Sequence, residues 1–118
     1  MKRLGERKPL EVMVGEKEGA AMIAVRGEVD LSTSPDLRTL LLKTVVAATG
    51  TVAVDLREVG YMDSSGVATL IEGLQACVRR KLRFVLLAPS KPVRNVLGLT
   101  RLDSVFDIRD SLEAPRRP

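Results

Sequence analysis

Ser64 and Ser65, set between Asp63 and Gly66, are the residues best placed to do chemistry in this chain. Such a serine has three uses: nucleophile, helix cap or phosphoryl acceptor. A nucleophile needs a base to take the hydroxyl proton. The chain has no histidine, no Gly-x-Ser-x-Gly elbow and no lysine at the spacing of serine–lysine systems. No catalytic residue is therefore assigned. Capping needs no further group, because Asp-Ser-Ser-Gly is a good helix start with Ser64 or Ser65 as the N-cap. A phosphoryl group on Ser64 would add about −1.5 to −2 charges. It would sit where free backbone N–H groups and the positive end of a helix dipole favour an anion. Beside Asp63 it would either order the helix start or repel an acidic surface docked there. The residues alone leave capping and phosphorylation both open.

Other chemistry finds little support. Asp30, Asp55 and Asp63 lack the dense oxygen spacing of a calcium loop, so neither a metal site nor a cofactor is expected. Cys77 is the single cysteine and lies in an apolar helical pattern. It is expected to be a buried thiol, in keeping with a reducing compartment. Tyr61, Phe84 and Phe106 are the only rings, too few and too scattered to form a stacking platform for single-stranded nucleic acid.

The net charge of +4 resembles a nucleic-acid signal until its location is considered. Lys2, Arg3, Arg7 and Lys8 outweigh Glu6 within residues 1–9, and Arg116 and Arg117 outweigh Glu113 within residues 113–118. Residues 10–112 balance, so no direct nucleic-acid contact is expected. The run Arg79-Arg80-Lys81 with Arg83 reads as a solvated helix end favoured by the dipole. No apolar run approaches the roughly 18–20 residues of a membrane span. The basic start is not followed by a signal-peptide core, and the expected location is cytoplasmic.

The elements that position Ser64 follow from hydrophobic period. Leu10–Val14 alternates as a half-buried strand, Gly15–Gly19 is a turn by composition, and Ala21–Val25 is a more buried strand, so the chain opens on a hairpin. Ser34 as N-cap, Pro35 at the first helical position and Asp36 at the dipole's positive end start a helix. Its stripe is Leu37, Leu40, Leu41, Leu42, Val45 and Val46, closing near Gly50. Thr51–Leu56 is a buried strand, followed by a short loop. A second helix after Ser65 carries Val67, Leu70, Ile71, Leu74 and Val78. Leu82–Ala88 is another strand, Pro89–Pro92 opens a third helix ending at Gly98, and Leu102–Ile108 holds a short last strand or turn. The expected organisation is a flexible basic arm over 1–9, one α/β domain over 10–112 and a flexible tail over 113–118. Helical crossovers call for parallel pairing, so the sheet is mixed: an N-terminal antiparallel hairpin plus parallel strands, with helices mainly on one face.

Three short stretches, in this order, resemble the STAS family and its bacterial anti-sigma-factor antagonists. They are Gly27-Glu28-Val29-Asp30-Leu31, Val52-Ala53-Val54-Asp55-Leu56 and Tyr61-Met62-Asp63-Ser64-Ser65-Gly66. The resemblance covers roughly residues 10–110. It implies a STAS domain that is not an enzyme, in which Ser64 is phosphorylated by an anti-sigma factor with serine kinase activity. The unmodified form binds that partner and the phosphorylated form lets go, with a phosphoserine phosphatase as a further partner. Asp30, Asp63, Ser64, Ser65 and Gly66 would form the partner-binding site. The other reading of Asp30 is a solvated turn carboxylate. Val67-Ala68-Thr69 departs from the Leu-Gly-Val of many antagonists. Similar STAS domains also serve as accessory subunits of lipid-transport ABC systems, which is the alternative. Met62 and Val67 flank the loop, either facing a partner or in the core.

Overall fold

The computed structural model describes residues 10–117, so the arm expected over 1–9 lies outside the described residues. The elements follow the expected order: β1 (Glu11–Lys17), β2 (Ala20–Val29), α1 (Ser34–Ala47), β3 (Thr51–Met62), α2 (Ser64–Arg79), β4 (Arg83–Leu87), α3 (Lys91–Leu99) and β5 (Asp107–Arg109). They form one sheet in the order β1-β2-β3-β4-β5, with β1 antiparallel to β2 and the remaining neighbours parallel. The hairpin closes through Glu18 and Gly19, both with positive φ (54° and 80°). That is the two-residue turn whose twist suits the strands beside it.

Each parallel neighbour is reached through a helix. Right-handed crossovers that always step the same way across a sheet put every helix on the same face. The burial agrees. Leu37, Leu41 and Val45 of α1, Leu70 and Cys77 of α2, and Val93 and Leu97 of α3 share one core with Ile23, Val25, Val54, Leu56, Phe84 and Leu86 of the sheet. Strand alternation sends Ala53, Val85 and Leu87 to the opposite face. They too are buried, under Leu112 and Met22. Leu112 directly precedes the stretch 113–118 expected to be a flexible tail. In the structure Arg117 N–H donates to Ile108 O (2.8 Å), and the Arg109 guanidinium donates to Ala114 O (2.7 Å).

Several boundaries differ from expectation, each for a tertiary reason. β3 continues past Leu56 through the stretch expected to be a loop. Arg57–Met62 has no clean alternation, but the end of β2 lies alongside and pairs with it: Arg26 with Glu58, Gly27 with Val59, Glu28 with Tyr61 and Val29 with Met62. Register shifts in this pairing absorb the irregular pattern. The last strand is only Asp107–Arg109, since Leu102 to Phe106 turns back toward the core. Val46 and Val78, counted in the helical stripes, are exposed at the ends of α1 and α2.

Candidate functional site

Because β3 runs to Met62 and α2 begins at Ser64, Asp63 alone joins the central strand to the helix. It is extended (φ −103°, ψ −171°), and its carboxylate accepts from Ser65 N–H (2.9 Å), Gly66 N–H (3.4 Å) and the Ser65 hydroxyl. Asp63 is therefore the N-cap, which corrects the expectation that Ser64 or Ser65 fills that position. A carboxylate one residue before the helix reaches the second and third free N–H groups directly, leaving the serines inside the first turn. Ser65 is half-buried and tied to the cap. Ser64 is exposed at the first helical position, and its hydroxyl takes no part in the cap.

Burial alone would raise the Asp63 carboxyl. Hydrogen bonds from the Ser65 hydroxyl and from the N–H groups of Ser65, Gly66 and Leu31 outweigh it and hold the group below the usual carboxylate value. A phosphate on Ser64 would thus face an ionised neighbour, and two of the helix's first N–H groups already have an acceptor.

A second loop is bound to the first. Asp63 N–H donates to Val29 O (3.1 Å), the last residue of β2. Asp30 follows, and it is buried (4% exposed). Its Oδ1 accepts from Ser32 N–H (2.9 Å), the Ser32 hydroxyl (2.7 Å) and Thr33 N–H (3.1 Å). The Thr33 hydroxyl in turn donates to Glu28 O (2.8 Å). Asp30 is therefore not a solvated turn carboxylate. It folds the turn that leads into α1, whose N-cap is Thr33 rather than the expected Ser34.

Between the two loops lies an open depression of about 830 Å³ lined by Glu28, Asp30, Leu31, Ser32, Tyr61 and Asp63. Leu31 (79% exposed) and Tyr61 (47% exposed) supply its apolar surface. Neither was singled out from the sequence. For Tyr61 the sequence offered only its place in the stretch Tyr61-Met62-Asp63-Ser64-Ser65-Gly66. Met62 and Val67 are core residues, at 5% and 4% exposure. Gly66 is buried as well. A Cβ there would stand 2.6 Å from Met62 Cγ and 2.8 Å from Val29 Cγ1, so glycine lets the first turn of α2 rest on the ends of β2 and β3.

The remaining candidates lie elsewhere. Asp55 pairs with Arg57 (3.0 Å). Burial pushes the Cys77 thiol up to about 11 against the charge of Arg80, leaving it a poor nucleophile. In the basic run, Arg80 donates to Val46 O at the end of α1 (3.0 Å) and Arg83 pairs with Asp107 (3.4 Å).

This sheet, with its helices on one face and an exposed serine following the central strand, is a STAS architecture. The chain belongs to the STAS domain family, whose model matches residues 11–114. Among known proteins it is 28% identical over 91 residues to the anti-sigma-B factor antagonist of Staphylococcus epidermidis, spanning 77% of this chain and 84% of that one. Its structure is similar to an anti-sigma factor antagonist from Mycobacterium paratuberculosis (TM-score 0.77, 25% identity, 88% of each chain). It also resembles the Bacillus cell fate determinant SpoIIAA in its phosphorylated form (TM-score 0.67, 21% identity, 87% of this chain and 94% of that one), a likeness of fold. No helix among the described residues is long and apolar enough to cross a membrane.

Proposed function

We propose that this chain is a cytoplasmic anti-sigma-factor antagonist. In this reading it binds an anti-sigma-factor kinase while Ser64 is unmodified and is released when Ser64 is phosphorylated, and so it regulates transcription. The observation that carries the reading is the exposure of Ser64 at the first position of α2, outside the Asp63 cap and next to the depression between the loops. The relatives named as antagonists support the class of partner.

The chain acts as a protein substrate, with no catalytic residue of its own. Ser64 Oγ attacks the γ-phosphorus of ATP, the bond to the bridging oxygen breaks, ADP leaves and the hydroxyl proton passes to a base. The kinase supplies nucleotide, magnesium and base. A phosphoserine phosphatase resets the switch by hydrolysis. Ser64, Leu31 and Tyr61 touch the partner. Asp30, Asp63, Ser65 and Gly66 act one step behind, holding the two loops in place. Phosphorylation adds charge beside the ionised Asp63, and repulsion with desolvation at the contact ejects the partner.

The test measures stability and binding on the same two variants. Since Asp63 is the cap, Ser64→Ala should change stability by less than about 0.5 kcal/mol and keep the complex with the kinase. Ser64→Asp should fold equally well and bind at least about tenfold more weakly, a loss within the range for a misplaced interfacial charge. Equal binding by the two variants would sink the proposal. So would capture of a membrane permease with its ATPase in place of a soluble kinase.

A further inference from the structure

The two edges of the sheet are treated differently. β5 is only three residues long, and the C-terminal segment returns to it through Arg117 N–H and Ile108 O. Short, covered edges of this kind resist pairing with other chains. β1 lacks such cover along most of its length among the described residues; only its end, Lys17, lies near Glu113 of the C-terminal segment. It is seven residues long and pairs with β2 without a register shift. It contains no proline, and nearly all of it is exposed, with Met13 at 74% and Val14 at 51%.

Its backbone direction follows from the hairpin. Lys17 and Ala20 flank the Glu18–Gly19 turn, whose i to i+3 hydrogen bond points the Lys17 carbonyl at β2. Strand alternation then turns the N–H and C=O groups of Gly15, Met13 and Glu11 inward as well. Those of Val12, Val14 and Glu16 point out of the sheet.

We infer that the outer edge of β1 is a self-pairing surface, on which a second copy of this chain adds its own β1 antiparallel about a two-fold axis at Val14. That register sets Val14 opposite its symmetry mate and Val12 opposite Glu16. All three have outward backbone groups, so every ladder hydrogen bond can form. Met13 falls opposite Gly15, where nothing lies within 4 Å of the place a Cβ would occupy, so the exposed thioether has room to lie down. Glu11 falls opposite Lys17, giving an opposite-charge pair at each end of the ribbon. The strand is complementary to itself in hydrogen bonding, shape and charge at one register. A single edge contact is smaller than the roughly 1,200 Å² of a standard stable interface, so the dimer is reversible.

Sedimentation of the full chain over a concentration series tests the inference. A monomer–dimer equilibrium is expected. Val14→Lys puts two cations face to face on the axis and should weaken association by about tenfold or more. Glu11→Lys or Lys17→Glu alone makes both end pairs repulsive and should weaken it by roughly tenfold, the loss expected of two exposed ion pairs. The double exchange Glu11→Lys with Lys17→Glu restores opposite charges and should return the equilibrium to near wild type. All of these positions are exposed, and circular dichroism identifies any variant that fails to fold. The charge exchanges still decide the matter if Val14→Lys is lost. A chain monomeric at every concentration, a dimer indifferent to Val14→Lys, or a double exchange no better than the singles overturns the proposal.

Discussion

Asp63 accepts hydrogen bonds from the first turn of α2 and donates its own N–H to Val29, so one residue sets the start of the helix against the end of β2. Replacing it by alanine frees the Ser65 N–H, while Gly66 N–H keeps its bond to the Asp63 carbonyl (3.1 Å), and Asp63→Ala should cost about 0.5–2 kcal/mol. The pH dependence has a definite sign. The folded pKa lies below that of an aspartate in the unfolded chain, about 3.9. The contribution is therefore complete above that value and is lost as pH falls through the folded value. Asp63→Asn keeps a capping oxygen but cannot titrate. Denaturant unfolding of both proteins at a series of acid pH values should show wild type losing stability faster, the gap closing as the carboxyl protonates. Parallel curves would contradict this account of the cap.

At the scale of elements, the position of Ser64 depends on how closely α2 approaches the sheet. Two glycines separate close approach from helix propensity. At Gly66 a Cβ would collide with Met62 and Val29. Gly66→Ala should destabilise by about 1–3 kcal/mol, the usual cost of overpacking. Gly98, within α3, has open space at the same position. Gly98→Ala should leave stability unchanged or raise it by up to about 1 kcal/mol, since alanine is the better helix former. Chemical denaturation of the pair is the measurement, and similar shifts in both would show that backbone freedom, not contact, governs Gly66. On the function proposed above, a destabilised Gly66→Ala should also bind the anti-sigma factor less well, because the same contact orients Ser64.

Across the whole molecule, the two faces of the sheet are closed by different means. Three helices cover one face, while the other depends on the segment around Leu112 lying over Ala53, Val85 and Leu87. Ending the chain after Asp110 would expose these side chains, and stability should fall by about 2–3 kcal/mol, the value of reburying one large aliphatic side chain. In the full chain, Leu112→Ala should reproduce part of that loss. Thermal unfolding of both variants is the check. An unchanged midpoint for the shortened chain would mean that the segment does not cover the sheet in solution.

Element order, mixed pairing and the place of the serine loop were legible in the residues alone. Val-Ala-Val-Asp-Leu is an apolar run of strand length, Leu37, Leu41 and Val45 recur at helical spacing, and a helix between two buried strands requires a parallel crossover. The sequence also placed Asp63, Ser64, Ser65 and Gly66 together, because they are contiguous. What it could not assign were properties that depend on groups distant in the chain. The second half of β3 has no strand pattern of its own and is held by the end of β2. Cap identity turned on which side chain reaches the first N–H groups, and Asp30 became a buried turn anchor only because Ser32 and Thr33 fold over it. Leu31 and Tyr61 form one surface because the end of β3 pairs with the end of β2, Glu28 beside Tyr61, and Asp63 N–H donates to Val29 O. Local periodicity encodes which face of an element is apolar, but contacts between segments decide which apolar side chains remain in water.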